Sequence, residues 1–365
     1  MVESMNIAIV IDSLGGGGAE RVMLDLAKGF ISRGHNAHYI CLESRQDHCV
    51  EEGIPIHVLY DDRDLKSIVK GRSCLMAAAK LKALVHRIEK EFGEFDLFLS
   101  NLDPTNAVIS NCNFDNVRYV LHNSMEEEIR RERKLGPIKF FRKVKAKKIM
   151  NGKDLVAVSN GVAKEALEYG LIKPNKVTTI YNPCDLQKIE KLSFADSSHI
   201  PDYPYILHVG RVVKQKRHDT LFKALSMIPD RLMVCLCKDV AKAKKIAKKY
   251  GVEDRVLFPG FTNNPYVWMR HASVLVLSSD FEGLGMVLIE ALKCGTPVVS
   301  TDCQYGPSEI LTGELSRYLS PIGDSKALAL NISDALVSYP SIDRLPIFDE
   351  VSMDVAVDNY IRLAV

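Results

Sequence analysis

Two glutamates with glycines between them form the most suggestive cluster in the sequence. Glu282 and Glu290 lie in Ser278–Glu290 (SSDFEGLGMVLIE) with seven residues between them. The first follows an apolar run and the second falls two turns into a helical pattern. A carboxylate accepts hydrogen bonds from pairs of hydroxyls, which suits a polyhydroxylated ligand such as a sugar. Gly283 and Gly285 precede the helix, where bare backbone N–H groups could hold a phosphate. Taken alone, the pair would also serve as a loop glutamate and a solvated helix glutamate. A second cluster is Gly210–Lys216 (GRVVKQK), with Arg211 and Lys216 in a loop after a strand and Lys214 and Arg217 beside them. Two fixed cations could stabilise the charge on a departing diphosphate without a metal. The same residues would also make a solvated basic turn. The third cluster is Ser13–Arg21 (SLGGGGAER), a glycine turn between a strand and a helix. A dinucleotide fingerprint needs glycine where Glu20 or Arg21 stands, which argues against a nicotinamide cofactor. Either a tight turn or a phosphate-facing loop fits these residues.

The elements around these clusters alternate. Continuous apolar runs predict buried parallel strands at Asn6–Ile11, Ala37–Leu42, Leu97–Ser100, Val117–Leu121 and Leu155–Ser159. The second half repeats the pattern at Tyr205–Gly210, Arg231–Cys237, Val256–Pro259, Ser273–Ser278 and Pro297–Thr301. Helical periodicity falls between them, at Glu20–Phe30, Met76–Phe92, Lys216–Met227, Val240–Tyr250, Pro265–His271 and Leu284–Cys294. This predicts an α/β protein of two Rossmann-like, doubly wound parallel-sheet domains with a cleft between them. A proline-containing polar stretch, Asn182–Pro204, sets the boundary. The expected domains are 1–183 and 184–345, with 346–365 a helix crossing back to the first.

Composition narrows the function. The chain has 365 residues and a formal net charge of +2, so no global field draws it to nucleic acid. Its nine cysteines, Cys49 among them, form no CxxC pair and read as reduced residues of a cytoplasmic protein. The N-terminus lacks the pattern of a signal peptide, and no apolar run reaches the ~20 residues of a membrane span. No His/Asp cluster has metal-ligand spacing, and Asp61–Asp64 (DDRD) reads as surface. The stretch Arg130–Lys148 is strongly basic, with Ile138, Phe141 and Val144 on one helical face and Phe140 near it. It could lie on an anionic membrane surface, with Lys143, Lys145 and Lys147 among its contacts, or pack as a solvated helix on its own domain.

Together, the GG-A-E-R turn, the strand followed by GR-x4-K, and SS-x-x-E-G-L-G-x-x-x-x-E-A resemble the family-4 retaining glycosyltransferases of the GT-B fold. The resemblance covers both halves, and its most specific part is Ser278–Thr301. It implies donor-sugar contacts for Glu282, a ribose contact for Glu290, and diphosphate contacts for Arg211 and Lys216. Gly283, Leu284 and Gly285 would offer backbone to the donor, and Gly17 and Gly18 would line it from the first domain. His122, after RYVLH, matches the family's cleft histidine; on its own, a strand-end histidine is more often structural. The implied reaction is metal-free transfer, with retention, from a nucleotide-sugar, by preference a UDP-sugar, to a glycan or lipid-linked acceptor. It would serve bacterial surface polysaccharide or lipopolysaccharide synthesis, in the cytoplasm or at the inner face of the cytoplasmic membrane. The rival readings are a nucleotide-sugar 2-epimerase-like enzyme and a non-catalytic nucleotide-sugar-binding protein. One departure stands out: the CKDV turn at Cys237–Val240 lacks the glycines common in relatives.

Overall fold

The apolar runs become strands whose side chains are almost wholly buried. The computed structural model describes residues 4–15, 17–46, 53–342 and 344–364. Gly16 of the glycine turn and Cys49 lie outside them. Contacts divide the chain into two units, Met1–Cys184 with Val351–Val365, and Asp185–Glu350.

In the first unit, β1 (Asn6–Ile11), β2 (Asn36–Glu43), β3 (Ile56–Tyr60), β4 (Leu97–Asn101), β5 (Val117–Leu121), β6 (Asp154–Ala157) and β7 (Lys176–Thr179) form one sheet. Its order is β3-β2-β1-β4-β5-β6-β7, and neighbouring strands run parallel. In the second unit, β8 (Tyr205–Val209), β9 (Leu232–Leu236), β10 (Val256–Gly260), β11 (Val274–Leu277), β12 (Val298–Thr301) and β13 (Leu319–Ser320) are ordered β10-β9-β8-β11-β12-β13, again parallel. Both are doubly wound. The order reverses between β1 and β4 and between β8 and β11. Loops leaving the carboxyl ends of such a strand pair diverge and leave room for a ligand. Ile7–Ile11 are fully buried because helices cover both faces of the sheet.

Three strands were not legible as apolar runs. β3 (IHVLY) and β7 (KVTT) are only partly buried at the two sheet edges, and β13 has two residues. Part of the expected linker is a helix, Leu186–Ser193, capped by Asp185 accepting from the Lys188 N–H. The helix expected over Lys216–Met227 starts later, at His218, because Arg217 takes a left-handed conformation (φ 46°, ψ 50°) after a 3-10 turn at Lys214–Lys216. The helix expected from Leu284 starts at Met286, because Gly285 (φ 91°) is its N-cap.

The helix Met353–Ile361 packs within the first unit. Ala356, Val357, Tyr360 and Ile361 join the cluster formed by β1 and the helix Gly18–Ser32. Arg33 pairs with Asp354 at 2.9 Å and Asp358 at 2.8 Å, and the Phe30 and Tyr360 rings meet edge-on. Among the described residues no helix is long and apolar enough to cross a membrane.

Candidate functional site

Two of the sequence clusters meet within the second unit. β8 and β11 are neighbours, so the loops that leave them emerge side by side. They are joined by the Asp280 N–H to the Gln215 carbonyl (2.8 Å), Gln215 Nε2 to the Phe281 carbonyl (2.7 Å) and Ser278 Oγ to the Lys216 carbonyl (2.7 Å). Arg217 adds an ion pair to Asp280 at 2.8 Å while also holding Asp219. At the centre, Lys216 Nζ lies 2.7 Å from Glu282 Oε1, both largely buried. The sequence assigned these charges to different parts of a ligand; in the structure they neutralise each other. Arg211 is exposed beside them.

The glycine loop after Glu282 has a defined shape. Gly283, Leu284 and Gly285 are buried, and Gly285 presents the N-terminus of the helix Met286–Lys293. Gly306 (φ 90°) packs so closely on the Leu284 carbonyl that a Cβ there would overlap it. Glu290 lies half-buried in the second turn of that helix.

Beneath Gly210, two imidazoles meet edge-on, with the His208 and His218 centroids 4.7 Å apart. His208 Nδ1 lies 2.9 Å from the Val276 carbonyl, so it carries the proton. Its Nε2 and both nitrogens of His218 are buried and have no hydrogen-bond partner among the described residues. Burial pushes both groups down, His208 to about 4 and His218 to about 2, so these rings are neutral.

In the first unit, His122 follows β5 and its Nε2 lies 2.9 Å from Asn101 Oδ1. Asn101 Nδ2 donates to the Val10 and Leu99 carbonyls, which leaves Oδ1 as the acceptor. His122 Nε2 therefore carries the proton, and Nδ1 is a bare lone pair, buried without a partner among the described residues. Burial, with Lys147 nearby, holds this group down at about 4. Gly17 and Gly18 open the helix Gly18–Ser32. The Glu20 carboxylate folds back over Gly17, where a Cβ would overlap it.

Sequence reasoning passed over Asp12, Thr105, Asp103 and Glu128. Asp12, just past β1, accepts from the Thr105 N–H (3.0 Å) and hydroxyl (2.7 Å). Burial pushes its carboxyl up to about 7 even so. Polar residues at the carboxyl ends of parallel strands were the available signal.

The basic stretch is corrected in two respects. It folds as two helices, Met125–Lys134 and Pro137–Lys148, broken at Gly136 (φ 112°) and Pro137. Lys143 and Lys147 are not surface contacts. Their amines turn inward to Asp103 and Glu128 at 2.7–2.9 Å. Burial opposes charge there, but the partners hold Lys147 above and Glu128 below their ordinary ranges. The opposite face carries Leu135, Ile138 and Phe141, which are 50%, 83% and 67% exposed. Exposed Lys134, Lys139, Arg142 and Lys145 accompany them. A cavity of about 310 Å³ opens elsewhere, at the amino ends of β5 and β6, lined by Asn113, Arg118 and Lys153 among others.

Comparison with known proteins agrees with this architecture. Residues 190–345 match the family described as glycosyl transferases group 1, and residues 16–188 match glycosyltransferase family 4. The N-acetylgalactosamine-N,N'-diacetylbacillosaminyl-diphospho-undecaprenol 4-alpha-N-acetylgalactosaminyltransferase of Campylobacter jejuni is 29% identical over 83% of this chain and 82% of its own length. The lipopolysaccharide 1,6-galactosyltransferase of Escherichia coli K12 is 26% identical over 46% of this chain and 48% of its own. The Anabaena Alr3699/HepE structure in complex with UDP-glucose superposes with a TM-score of 0.69 at 19% identity, over 99% of this chain and 97% of that one.

Proposed function

Because the chain belongs to the family-4 glycosyltransferases, we propose that it moves a hexosyl group from a nucleotide-sugar, by preference a UDP-sugar, to a lipid-linked or glycan acceptor with retention of configuration. The chain is a GT-B hexosyltransferase of surface glycan synthesis. The relatives named above are transferases, which favours transfer over the epimerase and binding-protein readings. The UDP-glucose in the Anabaena complex supports the donor class. The undecaprenol-linked substrate in the Campylobacter enzyme's name supports a lipid-linked acceptor.

The observation that carries the reading is the Lys216–Glu282 pair, because it brings the two most specific motifs to one point at a strand switch. A donor seated there replaces the pairing: its diphosphate takes Lys216 and Arg211, and its sugar hydroxyls donate to Glu282. As the anomeric C–O bond breaks, the two cations stabilise the charge on the leaving diphosphate. The acceptor hydroxyl attacks from the same face, and its proton passes to the departing phosphate. His122 Nδ1, a fixed lone pair, suits a sugar hydroxyl donor.

The test is turnover of a panel of UDP-, GDP- and ADP-sugars in EDTA, with Lys216→Ala and Glu282→Ala beside the unsubstituted protein. Removing one such charge-stabilising group costs about 10²–10³ in kcat, and that loss is expected for Lys216→Ala. Undiminished turnover in Lys216→Ala would refute the role of Lys216. Turnover abolished by EDTA and restored by a divalent ion would refute metal-free transfer.

The reading includes peripheral contact with the cytoplasmic face of the inner membrane through 130–148, at the face bearing Leu135, Ile138 and Phe141. An apolar tripod among cations matches an anionic bilayer surface, where each cation contributes about 1 kcal/mol. Ile138→Ser with Phe141→Ser should abolish co-sedimentation with vesicles containing anionic lipid while leaving the fold intact. Retained binding in that double variant removes the membrane assignment.

A further inference from the structure

Arg217 is a long, branched residue in a conformation that suits glycine. Its φ of 46° and ψ of 50° are left-handed, where a Cβ crowds the backbone. Among the described residues, six others than glycine have positive φ, and three of these are Asn or Asp, whose short polar side chains tolerate it. The turn itself needs this conformation. Lys216 ends a 3-10 turn, its N–H donating to the Val213 carbonyl at 3.1 Å, and the helix His218–Ser226 starts directly after Arg217. Glycine would make the same reversal without strain. A strained residue held in place by its surroundings points to a role for its side chain.

The guanidinium is clamped from two sides. Nε and Nη2 lie 3.0 and 3.1 Å from the two Asp219 oxygens, and Nη1 lies 2.8 Å from Asp280 Oδ1. Asp219 belongs to the helix that Arg217 opens. Asp280 lies 63 residues on, in the loop after β11 and two residues before Glu282. Two ion pairs therefore run side by side between the same two loops, Lys216–Glu282 at 2.7 Å and Arg217–Asp280 at 2.8 Å. A donor treats them differently. Its diphosphate takes Lys216 and its sugar takes Glu282, which opens the first pair. The second pair is matched within itself and persists. The other links between these loops, through Gln215 and Ser278, are neutral hydrogen bonds; a charge-assisted bond is roughly twice as strong.

We propose that Arg217 is a positioning residue, a strut anchored on Asp219 that holds the two donor loops together through Asp280 when substrate opens the Lys216–Glu282 pair. The inference rests on the nucleotide-sugar reading above. Without the strut the Lys216 amine is no longer held where charge develops on the leaving diphosphate. The loss falls on kcat, by about 10- to 10²-fold, since a misplacement of about 1 Å reaches the upper figure.

The experiment is steady-state kinetics of the full-length protein, Arg217→Gly, Asp280→Asn and the double variant, with the nucleotide-sugar that the unsubstituted protein turns over. Arg217→Gly keeps the turn and removes only the strut. Each single variant is expected to lose kcat by that factor with little change in donor KM. The double variant is expected to be no worse than either, because both substitutions cut one link. Unchanged kcat in Arg217→Gly overturns the strut and leaves the donor reading standing. A loss mainly in KM also overturns it, as do losses that multiply in the double variant, since the two residues would then act separately. Failure of the unsubstituted protein to turn over any UDP-, GDP- or ADP-sugar overturns both readings together.

Discussion

Burial holds a proton on Asp12 up to about pH 7, whereas the unfolded chain releases it near 3.8. Between those values the folded state binds more protons, so stability is lost as pH rises through the window. Asp12→Asn keeps the acceptor for Thr105 and removes the titration. Its Tm advantage over the parent should be larger at pH 8 than at pH 5; an equal difference at both pH values would refute the assignment. The segments that meet in the second unit were legible because their motifs are dense and local: Lys216 and Glu282, which the structure pairs, lie in two short segments. Asp12, Asp103 and Glu128 were not. Their significance comes from the partners brought to them, Thr105, Lys143 and Lys147, which lie up to 93 residues away in sequence. The inward turn of Lys143 and Lys147 was hidden for the same reason, since a basic run reads as solvated until a buried carboxylate faces it.

Elements read from apolar runs were found with ends shifted by a few residues, and the shifts have local causes. Arg217 and Gly285 adopt left-handed conformations that delay two helices, and nothing in a hydrophobic pattern reports a backbone angle. Edge strands were missed because an edge needs little apolar surface. The glycine at 306 is the sharpest test of backbone fit at this scale. Gly306→Ala must both displace the Leu284 carbonyl and hold a strained φ, the strain alone costing about 1–3 kcal/mol, read as a lower urea midpoint together with weaker donor binding. On β2 and β3, His38 Nδ1 and His57 Nε2 lie 3.1 Å apart. Burial holds both down, His38 to about 4. The unfolded chain takes up protons near 6.5, so stability falls as pH drops from about 6.5 towards 4. His38→Phe should flatten that acid limb of the Tm profile; an unchanged slope would assign the limb to His122, His208 and His218 instead.

At the scale of the whole molecule, the two sheets follow from the alternating pattern, and the family from the order of motifs across both. The partnership of the helix Met353–Ile361 with the helix Gly18–Ser32 is a long-range contact, and the sequence offered only the expectation of a helix crossing back. Its exposed ion pairs with Arg33 contribute little, about 0–1 kcal/mol; the buried face of Ala356, Val357, Tyr360 and Ile361 contributes more. Tyr360→Ala should therefore destabilise the first unit by about 3–5 kcal/mol, while Arg33→Ala should change its melting by no more than the ion-pair figure. Differential scanning calorimetry checks both, and equal effects would refute this ranking.

That helix also sets an order in time. The second unit is contiguous in sequence and can close as soon as its own residues have been made. The first unit is begun earlier but lacks one wall of its core until Met353–Ile361 emerges. At ~5–20 residues per second, the interval between the two is roughly 10–30 s of translation. During that interval the sides of Gly29 and Phe30 that will meet Met353, Val357 and Tyr360 lack their cover. The half synthesised first is thus the half completed last, and the growing polypeptide carries an open hydrophobic face until that helix arrives.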